Sequence, residues 1–260
     1  DIWDWDLPTH PMLVDVTTEE GKIPIVIQLG KTGMVYTFHR DTGDPYFEIE
    51  ERPVPTDGIL GDQLSPTQPF PVKPPPLVRQ GITPDDAWGV TRYEREACRK
   101  IIAGSRYGGM FTPMSTKGTV MYPQVGGGAN WGGGAFDPER NILVVPVSQV
   151  PFYVRLIPAD QVDKAKAKDP RAGNPMGPPG LIKGTEYGLE QKAVLSPLFS
   201  PCTAPPWSLM VAVDMISGDI LWKTPFGKID QLSPLPIGFE WGTPFAGGAI
   251  TTAGGVVFIG

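Results

Sequence analysis

The stretch AVDMISGDILW, at residues 212–222, has the pattern of a β-hairpin, with two short apolar segments joined by a turn at Ser217-Gly218. A weaker copy runs from Tyr36 to Phe47, with Asp41-Thr42-Gly43 at the turn. A further hairpin is predicted within residues 244–260. Strand–turn–strand units that recur with glycine and tryptophan at equivalent places are typical of a propeller. The sequence therefore predicts an all-β fold, an antiparallel β-propeller.

Other segments of the chain fit this prediction. Short apolar or alternating segments between turns predict strands at residues 13–16, 22–29, 34–38, 46–49, 118–123, 142–146 and 208–214. Residues 53–79 are rich in proline and are predicted to lie outside any sheet. Residues 158–200 are predicted to form a surface loop. One short helix is expected, starting at Thr83-Pro84 and ending at Gly104.

Composition limits the class of protein. The 260 residues include 32 glycines and 31 prolines but are still 40% hydrophobic, which argues for a folded core with long loops rather than disorder. A net charge of −6 argues against nucleic-acid binding, which needs a basic surface. No stretch is long and apolar enough for a membrane span. The first residue is not Met and no signal peptide precedes the strands, so the chain is expected to be an internal fragment of a larger protein.

The two cysteines leave two alternatives open. Cys98 and Cys202 are too few for a zinc site made of cysteines alone. A single disulfide and two buried free thiols are both compatible with the sequence.

The first eight residues, DIWDWDLP, combine three carboxylates with two indoles. Alternation with period two would place Ile2, Asp4 and Asp6 on one side and both tryptophans on the other. Two carboxylates on one face, walled by indoles, are suited to bind a divalent cation or to act as a base. The alternative is an acidic turn that the tryptophans anchor.

Two glycine-rich segments are also candidates for a binding site. Lys31 lies in the turn Gly30-Lys31-Thr32-Gly33, and six glycines flank Asn130-Trp131 within residues 126–134. Glycine at this density allows a backbone to approach a ligand closely. Without further information, Lys31 would be interpreted as an exposed turn lysine.

The pattern from Ala212 to Trp222 resembles the tryptophan-docking repeat of quinoprotein alcohol dehydrogenases, eight-bladed β-propellers that bind pyrroloquinoline quinone (PQQ) on their axis. The closer resemblance is to the membrane-bound glucose, quinate and shikimate dehydrogenases. It is carried by WDWDLP (3–8), KTG (31–33), SPTQPF (65–70), FTP (111–113), SPC (200–202) and GGAITTAG (247–254). Because these segments span the chain in order, residues 1–260 are interpreted as part of one PQQ-binding propeller domain, roughly half of the ring.

The resemblance implies roles for individual residues. Asp4 matches the catalytic aspartate, and Lys31 matches a lysine that reaches the quinone. Asn130, Trp131 and Trp241 match positions that contact PQQ or lie beside such contacts. The cofactors expected are PQQ and a divalent metal, calcium or magnesium rather than a lanthanide. Asp4 and Asp6 are the candidate metal ligands, although Asp6 could also be purely structural.

The implied activity is oxidation of a CH–OH group in a sugar, polyol or cyclic hydroxy acid. No haem-attachment motif occurs, so the electron acceptor implied is ubiquinone. The implied location is the periplasm, attached to the inner membrane through segments outside this chain. Two alternatives remain: a non-catalytic propeller that serves as a binding scaffold, and a carbohydrate-binding module whose tryptophans stack on sugars.

Overall fold

The computed structural model describes residues 2–59, 63–123, 125–168, 178–228, 240–243 and 247–260. Strands predominate, and every strand pair in the described ranges is antiparallel. The all-β antiparallel prediction is confirmed. The hairpin predicted within residues 244–260 is present from residue 247 onward, and residues 244–246 lie outside the described part.

The strands, in chain order, are β1 (Met12–Thr18), β2 (Gly21–Leu29), β3 (Val35–His39), β4 (Ile49–Pro53), β5 (Thr67–Pro71), β6 (Thr119–Met121), β7 (Ala135–Asp137), β8 (Ile142–Ser148), β9 (Phe152–Pro158), β10 (Gly180–Leu181), β11 (Tyr187–Ala193), β12 (Ser208–Asp214), β13 (Ile220–Pro225), β14 (Ala249–Thr251) and β15 (Val257–Ile259). The described residues also form two α-helices, α1 (Arg92–Gly104) and α2 (Val162–Lys168).

The strands form five small sheets in the described ranges. Two have four strands, in the orders β13-β12-β8-β7 and β10-β11-β9-β6. A third has the order β1-β2-β3, and β4-β5 and β14-β15 each form a separate two-stranded sheet. The hairpin predicted at residues 212–222 is β12-β13, with Ala212 paired to Trp222. Its turn depends on Gly218, whose φ of 73° is unfavourable for residues with a side chain.

The core consists of adjoining clusters between the sheets. The largest joins β2, β8 and β12 through fully buried residues such as Ile25, Val145 and Val211. A second contains Trp3, Trp5 and Trp207 together with methionines and Phe111. Each strand contributes alternate residues to these clusters, as expected for small sheets packed face to face.

The predicted helix starts later than the sequence suggested. Pro84–Asp86 form only a 3₁₀ turn, and α1 begins at Arg92 with Thr91 as its cap. Both segments carry a capping box, but Ala87 pairs with Thr203 in an isolated bridge, which interrupts helical geometry between them. The helix does end at Gly104, as predicted.

Three further predictions were wrong in detail. Residues 158–200 are not a plain loop, because they contain α2, β10 and β11. The proline-rich segment contributes β5, which is possible because a two-stranded ribbon has only edge strands. Residues 46–49, which were predicted as a strand, begin with a bend at Tyr46 and Phe47, and β4 starts only at Ile49.

The structure resolves the alternatives for the cysteines in favour of a disulfide. Cys98 of α1 is joined to Cys202, with a Cα–Cα distance of 5.2 Å. Both residues are fully buried, in the cluster beneath α1.

Glu94 caps α1 from inside the protein and is 1% exposed. Its carboxylate accepts hydrogen bonds from the Thr91 backbone N–H and from the hydroxyls of Ser196 and Ser200. Burial acts to raise its pKa, but these hydrogen bonds outweigh it and the pKa is lowered. A carboxyl with a lowered pKa stabilises the fold above its ordinary pKa, and that stability is lost as pH falls through the folded-state value.

Replacing Glu94 with Gln should lower the free energy of unfolding by about 1–3 kcal/mol near neutral pH, because the buried donors lose a charged acceptor. Urea denaturation at several pH values should show the difference from wild type shrinking in acid. Glu96→Gln is the matched control, since Glu96 is exposed on the same helix. A stability deficit that stays constant down to strongly acidic pH would contradict the assignment.

Candidate functional site

Asp4, Asp6 and Lys31 lie together in the structure. The Lys31 Nζ atom is 2.9 Å from Asp4 Oδ1 and 2.6 Å from Asp6 Oδ1. The Lys31 side chain is 12% exposed, so it is not the solvent-exposed turn lysine of the alternative interpretation. The Lys31 N–H also donates to the Asp6 carbonyl oxygen at 3.3 Å, which ties the turn to the N-terminal segment.

The neighbouring tryptophans anchor this segment. Trp3 and Trp5 are buried, and their indole N–H groups donate to the carbonyl oxygens of Phe111 and Met110, each at 3.1 Å. The predicted alternation of burial is therefore confirmed. However, the indoles pack into the core instead of walling the carboxylates, because bonding to residues 110 and 111 directs them inward.

Asp4 has an uncommon backbone conformation, with a φ of 65°. The segment is therefore not a regular extended strand at this point. Asp and Asn tolerate the left-handed region better than most residues, but it still costs free energy. Such conformations cluster at functional sites, which supports Asp4 as the central residue of this one.

Charge and burial shift the pKa values of the Asp4 and Asp6 carboxyl groups in opposite directions. Burial raises the pKa of Asp4, with Asp6 adding to the effect and Lys31 opposing it. Burial also acts to raise the pKa of Asp6, but its hydrogen bond to Lys31 outweighs this and the pKa is lowered. Burial acts to lower the pKa of Lys31, but its bonds to both carboxylates raise it. Asp4 is therefore the carboxyl that takes up a proton more readily.

The glycine-rich loop packs directly on the Lys31 turn. The Gly128 N–H donates to the Lys31 carbonyl oxygen at 2.6 Å, and the Ala129 N–H donates to that of Gly30 at 3.3 Å. At Gly127, where φ is 83°, a Cβ atom would collide with Lys31. Glycine is required here for the approach of two backbones.

Asn130 and Trp131 lie at the end of this loop. The Asn130 amide donates to the Gly126 carbonyl oxygen at 2.5 Å and accepts from the Trp131 N–H at 2.8 Å. Trp131 is 79% exposed. The loop thus holds Asn130 and presents an indole to the surface.

Trp241 belongs to a group of three tryptophans that pack edge to face. Its ring centroid is 5.6 Å from that of Trp88 and 5.5 Å from that of Trp207. All three pack on the same core cluster as Trp3 and Trp5. Sequence analysis did not single out Trp88 or Trp207, and their spacing gives no signal because the contacts join distant segments.

A cavity of about 340 Å³ opens beside Asp4. It is lined by Ile2, Asp4, Ile59, Met114, Leu156, Ile182, Thr185, Tyr187, Leu189 and Gln191. Five of these residues come from residues 182–191, which the sequence analysis treated as loop. The alternation of Tyr187, Leu189 and Gln191 was the signal that could have revealed a strand with one face on a cavity.

A comparison with known protein families shows the family to which this chain belongs. The family model "PQQ: Glucose/ethanol/alcohol dehydrogenase, beta-propeller domain" matches residues 1–260. The chain belongs to this PQQ dehydrogenase family. The propeller expected from the hairpin repeats is thereby confirmed.

Members of the PQQ dehydrogenase family with similar sequences are much longer than this chain. This chain is 34% identical to "Quinoprotein glucose dehydrogenase" of Escherichia coli (strain K12), and 35% identical to "Probable quinate dehydrogenase (quinone)" of Xanthomonas campestris pv. juglandis. Each match covers 100% of the chain and 33% of the relative, so the chain spans about a third of their length. Among solved structures, "Europium-containing methanol dehydrogenase" matches with a TM-score of 0.53 and 17% identity, over 100% of this chain and 32% of that one. This last likeness supports the fold alone.

The candidate residues fit PQQ chemically. PQQ is an anionic, planar quinone, and the site offers the Lys31 ammonium together with the exposed indole of Trp131. For a metal the fit is partial. Asp4 and Asp6 supply the oxygen ligands that hard cations prefer, yet the described residues contain no group of three or more His, Cys, Asp or Glu that could hold a metal ion.

Within the described ranges, none of the helices combines the length and apolar character needed to cross a bilayer.

Proposed function

We propose that residues 1–260 are part of one PQQ-binding β-propeller in an oxidoreductase. This enzyme oxidises a CH–OH group of a sugar, polyol or cyclic hydroxy acid and passes the electrons to a quinone. The observation that carries the proposal is the contact of Lys31 with both Asp4 and Asp6 in a chain of the PQQ dehydrogenase family. A binding scaffold or carbohydrate module gives no chemical reason for this arrangement.

Asp4 is proposed as the general base. Its carboxylate takes the hydroxyl proton of the alcohol, a role suited to a carboxyl whose pKa is raised toward the working pH. When bound, PQQ supplies the acceptor for the hydrogen and two electrons that leave the carbon atom.

Lys31 is proposed to stabilise negative charge at the cofactor side of the site. Its ammonium is held by two carboxylates and is mostly shielded from water, which strengthens its electrostatic effect. Asn130, Trp131 and Trp241 are proposed as cofactor-binding residues, with Trp131 offering the most accessible ring.

Asp4 and Asp6 are proposed to contribute ligands to a divalent cation, calcium or magnesium rather than a lanthanide. Carboxylate oxygens suit either ion, and further ligands are needed to complete the usual six to eight around calcium. Ubiquinone as acceptor, and a periplasmic location at the inner membrane, are proposed from the resemblance to the quinone-linked members of the family.

The test is titration of the intact protein with PQQ in the presence of calcium or magnesium, followed by dye reduction with glucose, quinate, glycerol and sorbitol. Saturable PQQ binding and turnover on one of these alcohols are expected. Lys31→Met should weaken PQQ binding at least tenfold through loss of a charge-assisted contact, whereas Lys22→Met, on the exposed end of β2, should not. A folded protein that binds no PQQ with either metal would refute the proposal.

A further inference from the structure

The Lys31 turn, residues 30–33, is held by hydrogen bonds to the carbonyl oxygen of each of its residues. Three of these oxygens accept from backbone N–H groups, those of Gly33, Leu77, Gly128 and Ala129. The fourth, the Thr32 carbonyl oxygen, accepts instead from a side chain, the Gln80 amide, with an Nε2–O distance of 2.9 Å. Among the bonds to these carbonyl groups in the described part of the chain, the bond from Gln80 is therefore the one that a substitution can remove.

The Gln80 backbone joins this turn to the segment around Asp4. Its carbonyl oxygen accepts a hydrogen bond from the Met110 N–H at 3.0 Å. The Met110 carbonyl oxygen accepts in turn from the indole of Trp5, the residue that follows Asp4. Three successive hydrogen bonds thus link the Lys31 turn to the neighbour of Asp4.

The ion pairs of Lys31 do not fix its position by themselves. The side chains of Asp4 and Asp6 are 45% and 52% exposed, and ion pairs that are open to water hold their partners only weakly. The lysine stem is also long and flexible, so the ammonium can follow the carboxylates if the turn shifts. The position of Lys31 therefore depends on the hydrogen bonds that hold its backbone.

The Gln80 side chain contributes less to stability than its hydrogen bonds suggest. Its Nε2 atom also donates to the Val78 carbonyl oxygen at 3.1 Å, so the nitrogen faces two carbonyl groups and the orientation of the amide follows. The Oε1 atom is buried and has no hydrogen-bond partner among the described residues. A buried acceptor without a partner lowers stability, and proteins retain such violations mainly at functional sites. The role of the amide is therefore sought in what its nitrogen does for the turn.

We propose that Gln80 is a positioning residue, which through Thr32 sets the place of Lys31 relative to Asp4 during turnover. Gln80 acts through the turn and is not assigned a contact with substrate or cofactor. The inference rests on the proposed function, since it concerns the efficiency of the same site. Catalysis is sensitive to such placement, because a shift of about 1 Å can lower a rate about 10²-fold.

The test compares Gln80→Met with wild type in the intact protein loaded with PQQ and calcium or magnesium. Met has nearly the length of Gln but cannot donate to Thr32. With the alcohol that wild type oxidises best, kcat and the single-turnover rate of cofactor reduction should fall about 10- to 100-fold. The KM for the alcohol and the Kd for PQQ should stay within about threefold, because a flexible ammonium still attracts the anionic cofactor when it is no longer held for the transition state.

Gln80→Asn gives a second, milder variant. Its amide is one carbon shorter and reaches the Thr32 carbonyl poorly. It should show the same split between kcat and KM with a smaller loss of kcat, and it takes the place of Gln80→Met if that variant does not fold.

Gln149→Met is the matched control. Gln149 is also partly buried and also donates to a backbone carbonyl oxygen, that of Pro206, at 2.8 Å. In urea it should lose about as much stability as Gln80→Met, but its kcat should stay within about threefold of wild type.

A folded, PQQ-loaded Gln80→Met variant with wild-type kcat would overturn this inference, and so would an equal loss of kcat in Gln149→Met. A higher KM or Kd with kcat unchanged would also overturn it, because Gln80 would then act in binding. All three outcomes leave the proposed function intact. Failure of the wild-type protein to bind PQQ, or to oxidise any of the alcohols, would overturn both.

Discussion

Replacing Asp4 with Asn in the intact protein is expected to lower kcat by about 10²–10⁴-fold, the usual contribution of a general base. Asn has nearly the same shape but cannot take up a proton from the alcohol. It also tolerates the left-handed backbone at this position, where φ is 65°. The loss should therefore come from chemistry and not from an altered backbone.

The measurements for this variant are single-turnover reduction of bound cofactor and PQQ titration. PQQ binding should be retained, because Lys31 keeps its contact with Asp6 at 2.6 Å. Asp15→Asn is the matched control: Asp15 also forms an ion pair, with Arg40 at 2.9 Å, on the edge strand β1. Asp4→Asn activity within threefold of wild type, with PQQ bound, would exclude Asp4 as the base.

The sequence predicted those elements whose signals are local. The β12-β13 hairpin combines alternating apolar residues with a glycine at the position where φ is 73°, and all of this lies within residues 208–225. The meander of β1, β2 and β3 is equally local, with short turns between alternating strands.

Elements that depend on distant partners were missed. β11 has a charged residue, Glu190, at a buried position, which reads as surface until Arg155 of β9 is placed opposite it. The start of α1 has a local signal, the capping box of Thr91 and Glu94, but Thr83 and Asp86 carry the same signal, and only the bridge between Ala87 and Thr203 separates the two segments. In both cases a tertiary contact outweighs local propensity.

In the candidate site, too, the features that depend on contacts between distant residues could not be predicted from the sequence alone. The family resemblance assigned both Asp4 and Lys31 to the site, but neither it nor the spacing predicted the ion pair that joins them across 27 positions. The direction of the indoles depends on hydrogen bonds to Phe111 and Met110, more than 100 positions away. The cavity depends on the register between Leu156 and Leu189, which follows only once β9 and β11 are paired.

Removing the disulfide by the double substitution Cys98→Ser and Cys202→Ser is expected to lower the free energy of unfolding by about 2–5 kcal/mol. The cysteines are 104 positions apart, so the bond restricts a long loop in the unfolded chain. In the folded protein it fastens α1 to the segment around Cys202. There the Cys202 carbonyl oxygen accepts a hydrogen bond from the Trp88 N–H at 3.0 Å.

Urea denaturation of the intact protein measures the loss of stability, and peptide mapping without reductant tests the bond itself. A cross-linked pair of peptides containing Cys98 and Cys202 is expected. Because Trp88 packs against Trp207 and Trp241, the variant should also bind PQQ less tightly than wild type, by a smaller factor than Lys31→Met. Free thiols at both positions in the oxidised protein would show that the two buried cysteines stabilise the cluster beneath α1 by packing alone. In that case the double substitution should cost no more than the loss of two small apolar side chains, about 1–2 kcal/mol.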